Sequence, residues 1–445
     1  MDAPVAAHAA DRVWPAVLVL FLLGLAVRAL LVWASPPAPP LYPVHESINI
    51  AVSLVRHGTF ADPFMATGPT GPTAHCLPLY VLLIAPIIGF LGTGPAACFA
   101  LRCLGSAAIS LGFALLPLLG RSCSLDRRVG ISAGACGSLL PLYFWQPALN
   151  NLEFSSHTIG WWEAPFTLLT LIWLTAVAAQ HWQSAEFTVK SGGHFGIVAA
   201  VATLFCANTI PIVGSWFVCA LIWFSGKRFA VARYFATACL IVLAALAPWA
   251  IRNRVALGSW VLLRSNFGLE LQVSNNSTST SDADFNLNQA TWHEQHPSSS
   301  SEERQKVLRM GEVAYDQAKK QEALGWIRSH PQQFIKLTAG RIARFWFPRM
   351  GSRRYTIPLG AMTALAILGV IRLWYAKPEI ALLLGSACVA YSLIYTVIEV
   401  SIRYRVPLEG LLLFLGAYAV QSAFPRRYAR GAAILEAQGR AAHPS

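Results

Sequence analysis

The stretch HESINIAVSLVRHGTF, residues 45–60, places a carboxylate, Glu46, beside His45 at the start of a short amphipathic segment. Ile48, Ala51, Val52 and Val55 recur at i, i+3, i+4 and i+7, one face of a helix, with Glu46, Asn49, Ser53 and Arg56 on the other. A carboxylate at a helix N-terminus is kept ionised by the dipole and can take a proton from a hydroxyl within hydrogen-bond reach. It can equally do no more than complement that dipole. Other groups able to do chemistry are His75 in GPTAHCLP, Glu153 among Asn150, Asn151 and His157, Glu163 in WWEAPF, and the pair Arg403/Arg405 in SIRYRVP. A carboxylate inside an apolar run is costly and marks a candidate site, although Trp161 and Trp162 beside Glu163 also read as interfacial belt residues. No Walker loop, G-x-G-x-x-G or Ser-His-Asp signature occurs. The nine cysteines lie mostly inside apolar runs and the long polar loop has none, so neither a disulfide framework nor metal-ligand spacing is present.

These groups sit in a membrane protein. The 445 residues are 55% hydrophobic and 12% charged, with a mean hydropathy of +0.49. Apolar runs at 14–34, 95–119, 129–147, 159–180, 195–209, 211–225, 230–250, 355–373, 378–398 and 405–421 approach the ~20 residues that cross a hydrocarbon core. The first is read as an uncleaved helix, since Arg28 interrupts it and no small-x-small site follows. The net charge of +13 resides at the ends of apolar runs, which fits loops retained on the cytoplasmic side and contact with anionic lipid, not nucleic acid.

The run 76–92 decides the topology. If it does not cross, the clusters Arg121/Arg127/Arg128, Lys227/Arg228/Arg233 and Arg426/Arg427/Arg430 all fall on the cytoplasmic side; if it crosses, all move outside. A re-entrant or interfacial element, broken at Pro78 and Pro86, is therefore expected. The organisation that follows is a first helix within 1–34, a periplasmic loop 35–94, helices in 95–251, a long periplasmic loop 252–354, helices in 355–421 and a basic cytoplasmic tail 422–445. Within the long loop, residues 274–300 are Ser/Asn-rich and read as flexible or lid-like. Ser300-x-x-Glu303 is a capping box opening a helix to about Ser329, and a second helix at about 332–347 carries Phe334, Leu337, Ile342 and Phe345 on an apolar face opposite Arg341 and Arg344.

HESINIAVSLVRHGTFADPF and GPTAHCLPLY resemble the first extracytoplasmic loop of the GT-C glycosyltransferases, in particular the bacterial family 39-like branch of aminoarabinose transferases and protein mannosyltransferase-like enzymes. PWAIRNRVALGSWVLLRSNFGLELQVSNN at 248–276, GEVAYDQAKKQEALGWIRSHPQQFIKLTAGRIARFW at 311–346 and IRYRVPLEG at 402–410 extend the likeness from residue 13 to about 421. The resemblance implies an all-α polytopic membrane protein, a GT-C-like bundle of about ten transmembrane helices with periplasmic juxtamembrane helices and one long periplasmic loop. It further implies an inverting transferase taking a sugar from a polyprenyl-phosphate donor to a lipid, glycan or protein acceptor, in the bacterial inner membrane with its site on the periplasmic side. Where many relatives have an Asp-Glu pair, this chain has His45-Glu46. That departure removes one carboxylate a metal could use; no cofactor is expected, and a divalent metal is left open.

On this reading Glu46 is the base or the group orienting the acceptor hydroxyl, with His45 as its helper. Expected substrate contacts are His75, as an imidazolium holding phosphate or as an ordinary interfacial residue, and Glu153, Arg264, Asn266, Glu270, Arg403, Tyr404 and Arg405. Arg binds phosphate bidentately, and arginine is disfavoured in a short outer loop such as 399–404, which gives Arg403 or Arg405 a reason to be there. The competing class is a carrier or lipid flippase. A carrier gathers its polar site at the midplane between broken helices, whereas these residues collect on one outer face.

Overall fold

The computed structural model describes residues 13–35, 42–150, 162–350 and 352–423. Helices account for nearly all of it, and no sheet forms among the described residues. The chain opens with α1 (Val13–Ala34), the short α2 (Glu46–His57) and α3 (Pro78–Leu91), then α4 (Pro95–Ala114), α5 (Leu116–Ser122) and α6 (Arg127–Asn150). Next come α7 (Ala164–Ser184), α8 (Val189–Phe205), α9 (Thr209–Trp223) and α10 (Arg228–Leu257). The long loop holds α11 (Phe267–Ser274), α12 (Ala283–Asn286), α13 (Ala290–Gln295), α14 (Ser301–Met310), α15 (Glu312–Ser329) and α16 (Pro331–Trp346). Then α17 (Arg353–Ala376), α18 (Pro378–Ser392) and α19 (Val406–Ala423) close the bundle. Seven described stretches are long and apolar enough to cross a membrane: α1, α4 continued through α5, α7, α10, α17, α18 and α19 with their short flanking turns. The expected ten runs include also α6 and the shorter apolar α8 and α9, which pack among the seven.

Helix directions follow from contacts. Ala114 of α4 packs with Val13, Val17 and Leu20, while Ser110 lies against Arg28, so α4 runs antiparallel to α1. Along α6, Gly134 lies against Leu20 and Ser138 against Gly24, so α6 runs parallel to α1. The end of α1 and the start of α4 therefore share one end of the bundle, and α2 and α3 lie between them at that end. α3 differs from the broken element expected of it. It is one continuous 14-residue helix with Pro86 inside, about 21 Å long. At the other end, Lys377 reaches the Cys123 carbonyl and Gln183, and Lys227 reaches the Ala185 carbonyl, drawing the short turns together. Arg121, Arg127 and Arg128 sit at that same end; Arg426, Arg427 and Arg430 lie outside the described residues.

The long loop is more ordered than its composition suggests. Residues 274–300 are not a free lid. Asn286 donates to Glu399 at 2.6 Å, and Ser281 and Ala283 exchange backbone hydrogen bonds with Val400. Ser300 caps α14 as expected, but Glu303 does not complete a capping box; it accepts from Lys306, Lys319 and Tyr315. The helix also breaks where a single one was expected, at Gly311, whose φ of +79° favours glycine. Arg341 corrects the expected surface arrangement of α16. It is fully buried and binds Asn275 and the Val397 carbonyl, while Arg344 pairs with Asp282.

Close helix approach depends on small residues. A Cβ at Gly369 of α17 would stand 2.1 Å from the Leu415 carbonyl oxygen of α19, whereas one at Gly214 of α9 meets nothing. Gly369→Ala is expected to destabilise detergent-purified protein by about 1–3 kcal/mol and Gly214→Ala to leave it unchanged or slightly firmer, read as thermal unfolding midpoints.

Candidate active site

Two loops and two helix starts converge where α1, α6, α8, α10 and α18 end. Each is tied down by buried polar contacts. In the first loop, Asp62 accepts from the backbone of Thr70 and Gly71 and from Ser53, and Asn49 donates to the Pro43 and Pro63 carbonyls. The polar face of α2 thus turns into this loop, not into water. Arg252, expected to snorkel at an interface, instead donates to the Phe60 and Thr73 carbonyls and lies over the rings of Phe60 and Trp249. Glu312, at the start of α15, joins the two loops. It accepts from the Thr73 hydroxyl, from the Ala74 backbone N–H at 2.7 Å and from the Ser265 hydroxyl. Ser265 N–H donates in turn to the Ala74 carbonyl.

That tie sets Arg264 against His75. The Arg264 Nε donates to the His75 carbonyl at 2.7 Å, and its two terminal nitrogens make no hydrogen bond to a described residue. Arg264 lines a cavity that is open to solvent. Its wall carries Glu46, His75, Arg264, Asn266, Glu270, Arg403 and Tyr404, all seven anticipated from sequence. It also carries Glu163, at the start of α7, and the link Cys206–Asn208 between α8 and α9. Trp162 lines it too, so this tryptophan is not a belt residue. The remaining expectations part company. Arg405 does not reach the cavity: it is 1% exposed and spends its guanidinium on the Phe345, Trp346 and Leu359 carbonyls. His45 lies behind the wall, edge-on to Trp162 at 5.3 Å. Glu153, with Asn151, His157 and Trp161, lies outside the described residues.

Electrostatics follow from burial. Glu46 is pushed above the ordinary glutamate range, chiefly by desolvation, with its own backbone N–H, Arg403 and Arg264 opposing. Glu270 is raised likewise, against the pull of Arg264, and accepts from Asn266 at 3.3 Å. His75 is held well below the usual imidazole value by burial and then by Arg264, which disfavours the imidazolium of the two readings the sequence left open. His45 is lowered to about 4 by burial and then by Arg403. The cavity therefore presents Arg264 and Arg403 as its cations, with Glu46, Glu163 and Glu270 as carboxylates. Among the described residues no three His, Cys, Asp or Glu side chains gather as a metal site.

Two contributors were missed in the sequence. Glu312 and Arg252 act through contacts more than 170 residues apart in the chain, and no spacing signals such a tie. Glu312→Ala leaves three donors without their acceptor and is expected to cost roughly 2–4 kcal/mol. A drop in unfolding midpoint with faster proteolysis of the 252–354 loop would register it; unchanged behaviour in both would remove Glu312 as the tie.

No family model matches the sequence, and no curated protein aligns with it. Solved structures do resemble it. The Archaeoglobus fulgidus oligosaccharyltransferase in complex with zinc and sulfate aligns at a TM-score of 0.55 and 14% identity, over 92% of this chain and 49% of that one. The archaeal oligosaccharyltransferase AglB of the same organism, with an inhibitory peptide and a dolichol-phosphate, aligns at 0.55 and 13%, over 93% and 50%. ArnT from Cupriavidus metallidurans bound to undecaprenyl phosphate gives 0.38 at 15% identity over 91% and 77%, too weak a likeness to carry an argument. The chain spans about half the length of the archaeal structures it matches. Its fold is similar to that of these archaeal oligosaccharyltransferase structures.

Proposed function

We propose that the protein is a membrane glycosyltransferase that moves a sugar from a polyprenyl-phosphate donor to a lipid, glycan or protein acceptor at the outer leaflet. The observation that carries this reading is the shared cavity of Glu46 and Arg264, with the unengaged guanidinium edge of Arg264 facing the same hollow. The acceptor hydroxyl attacks the anomeric carbon and gives its proton to Glu46. The bond from that carbon to the phosphate oxygen breaks, and the lipid phosphate leaves with the electron pair, inverting the centre. Arg264 and Arg403 meet the charge that develops on the phosphate. Desolvation makes Glu46 a stronger base than a free glutamate, which suits proton transfer near neutral pH. Asn266 and Glu270, hydrogen-bonded to each other, stand where sugar hydroxyls would be recognised. The cavity end faces outward because the short basic turns lie at the opposite end, the side on which Lys and Arg are retained.

Glu46→Gln is expected to abolish transfer from the native lipid-linked donor while leaving expression and unfolding midpoint unchanged; full activity would refute the role. Because the active form is the carboxylate and its pKa is raised, the acid limb of kcat/KM should lie above the ~4.3 of an ordinary glutamate, with activity falling as pH drops through it. A limb at the ordinary value would place the base elsewhere. Arg264→Ala should raise the donor KM about ten-fold or more with little change for the acceptor, and equal effects on both would remove its phosphate assignment.

A further inference from the structure

His75 is a part of the cavity wall that the proposed reaction leaves unused. Both of its main-chain groups are engaged: the N–H donates to the Thr73 hydroxyl at 2.9 Å, and the carbonyl accepts from Arg264 Nε. The residue is 4% exposed and lines the hollow beside Arg264. Its ring meets Phe64 edge-on at 5.0 Å. No hydrogen bond from a described residue reaches either ring nitrogen, yet neither is sealed away from the hollow. Polar side chains buried to this degree normally have partners. The ring is also held from behind. Phe64 belongs to an apolar cluster with Leu269 and Val273 of α11, Val307 of α14 and Tyr315 of α15. Leu269 and Val273 lie four residues apart on one face of α11, while Asn266 and Glu270, likewise four apart, line the cavity. His75 and the Asn266/Glu270 pair are therefore positioned from one cluster.

The geometry points to His75 as a specificity residue for the donor sugar, giving one hydrogen bond to a sugar hydroxyl through one ring nitrogen and accepting one through the other. This rests on the reading of the cavity as the site of a polyprenyl-phosphate-linked sugar and names a contact within it. The imidazolium is disfavoured by burial and then by Arg264, and the neutral ring carries one donor and one acceptor. Phosphate diester oxygens only accept, so they would satisfy the N–H and leave the other nitrogen bare. Hydroxyls both give and take, and two neighbouring sugar hydroxyls match the ring at both nitrogens. The position agrees. The sugar is bonded directly to the phosphate, and His75 is joined to Arg264 through the Nε bond. A phosphate on the free terminal nitrogens of Arg264 therefore brings the nearest sugar hydroxyls beside His75. A site built to hydrogen-bond a hydroxyl discriminates against ligands that lack it, because its own polar groups are then left unpaired.

The test uses the full chain in nanodiscs and native mass spectrometry. The probes are undecaprenol, undecaprenyl phosphate, and the glucosyl, galactosyl, mannosyl and arabinosyl esters of undecaprenyl phosphate. Wild-type protein should bind at least one glycosylated lipid more tightly than undecaprenyl phosphate. His75→Phe keeps the ring against Phe64 and removes both nitrogens; it should lose about ten-fold of that preference while binding undecaprenyl phosphate as the wild type does. His75→Gln, which keeps one donor and one acceptor, should retain most of it. A structural role, or a contact to the phosphate, would weaken undecaprenyl phosphate and its esters alike in His75→Phe, and that result would overturn the assignment. So would an undiminished preference in His75→Phe, as expected if the ring meets the acceptor instead, a fall in His75→Gln as large as in His75→Phe, or a wild-type protein that prefers none of the esters. If His75→Phe does not accumulate, His75→Leu makes the same comparison. A wild-type protein that binds undecaprenol as well as undecaprenyl phosphate would instead remove the phosphate site itself, and the sugar contact with it.

Discussion

The Arg264 side chain is fastened by one of its nitrogens and open at the other two, and the cavity's chemistry depends on that division. The Nε bond to the His75 carbonyl fixes the plane of the guanidinium. The His75 carbonyl is in turn fixed because the Thr73 hydroxyl, the Ala74 backbone N–H and the Ser265 hydroxyl all donate to Glu312. An arginine whose two terminal nitrogens were both bound by protein would be a strut, as Arg405 and Arg341 are. A lysine in the same place would be a point charge with no preferred plane. The three buried arginines of this end therefore separate by their partners: those bound to carbonyls at the terminal nitrogens hold the fold, and the one bound only at Nε is left to meet a ligand.

Opposite charges at close quarters in a partly desolvated hollow attract strongly and pair unless the fold holds them apart. Here no ion pair joins Glu46 to Arg264 or Arg403; each stands on a different element, and the attraction acts across the cavity. The arrangement leaves Arg264 without an ion pair among the described residues, and on the proposed reading an anion entering beside it gains attraction that water would otherwise screen. It also explains why Glu46 is raised although two cations pull it down: burial dominates when the counter-charges are at a distance. A base of this kind is strengthened by its surroundings and remains available to an acceptor on its open side.

The helices were legible in the sequence because their signals are local. Hydrophobic run length located the spans, His330-Pro331 marked the boundary between α15 and α16, and the Ser300 cap marked the start of α14. Glu46, Arg264 and Arg403 stood out as charged residues at the edges of apolar runs, with Tyr404 beside Arg403, while Asn266 and Glu270 came from the resemblance; all six line one cavity. The errors share a different cause. Ser/Asn-rich composition at 274–300 reads as a flexible lid, yet Asn286 and Asn275 are the acceptors and donors that bind Glu399 and Arg341. Amphipathic periodicity put Arg341 on an exposed face, because it cannot tell water from a buried carbonyl. Arg405 shares every local property of Arg403 and differs by two positions on one helical turn, which sends it into the bundle. Gly311 looked tolerable inside a helix until its left-handed φ made it a break.

The depth of the cavity follows from helix length. α8 has 17 residues and α9 has 15, about 25 and 22 Å at 1.5 Å per residue, against the roughly 30 Å of a hydrocarbon core. Their link, Cys206–Asn208, therefore cannot reach the plane where α10, with 30 residues, emerges. That link is part of the cavity wall, so the hollow lies beside a pair of short helices. Asn208 binds the Tyr395 hydroxyl at 3.1 Å, which satisfies the polar end of the broken turn inside protein, as backbone at membrane depth requires. A water-borne nucleotide sugar has no use for such a recess. A substrate whose phosphate sits at the headgroup level and whose chain stays in the bilayer does, because it can present the phosphate to Arg264 without leaving the lipid. On the proposed reading, two short helices and a three-residue link suit the cavity to a lipid-borne donor alongside its charged residues.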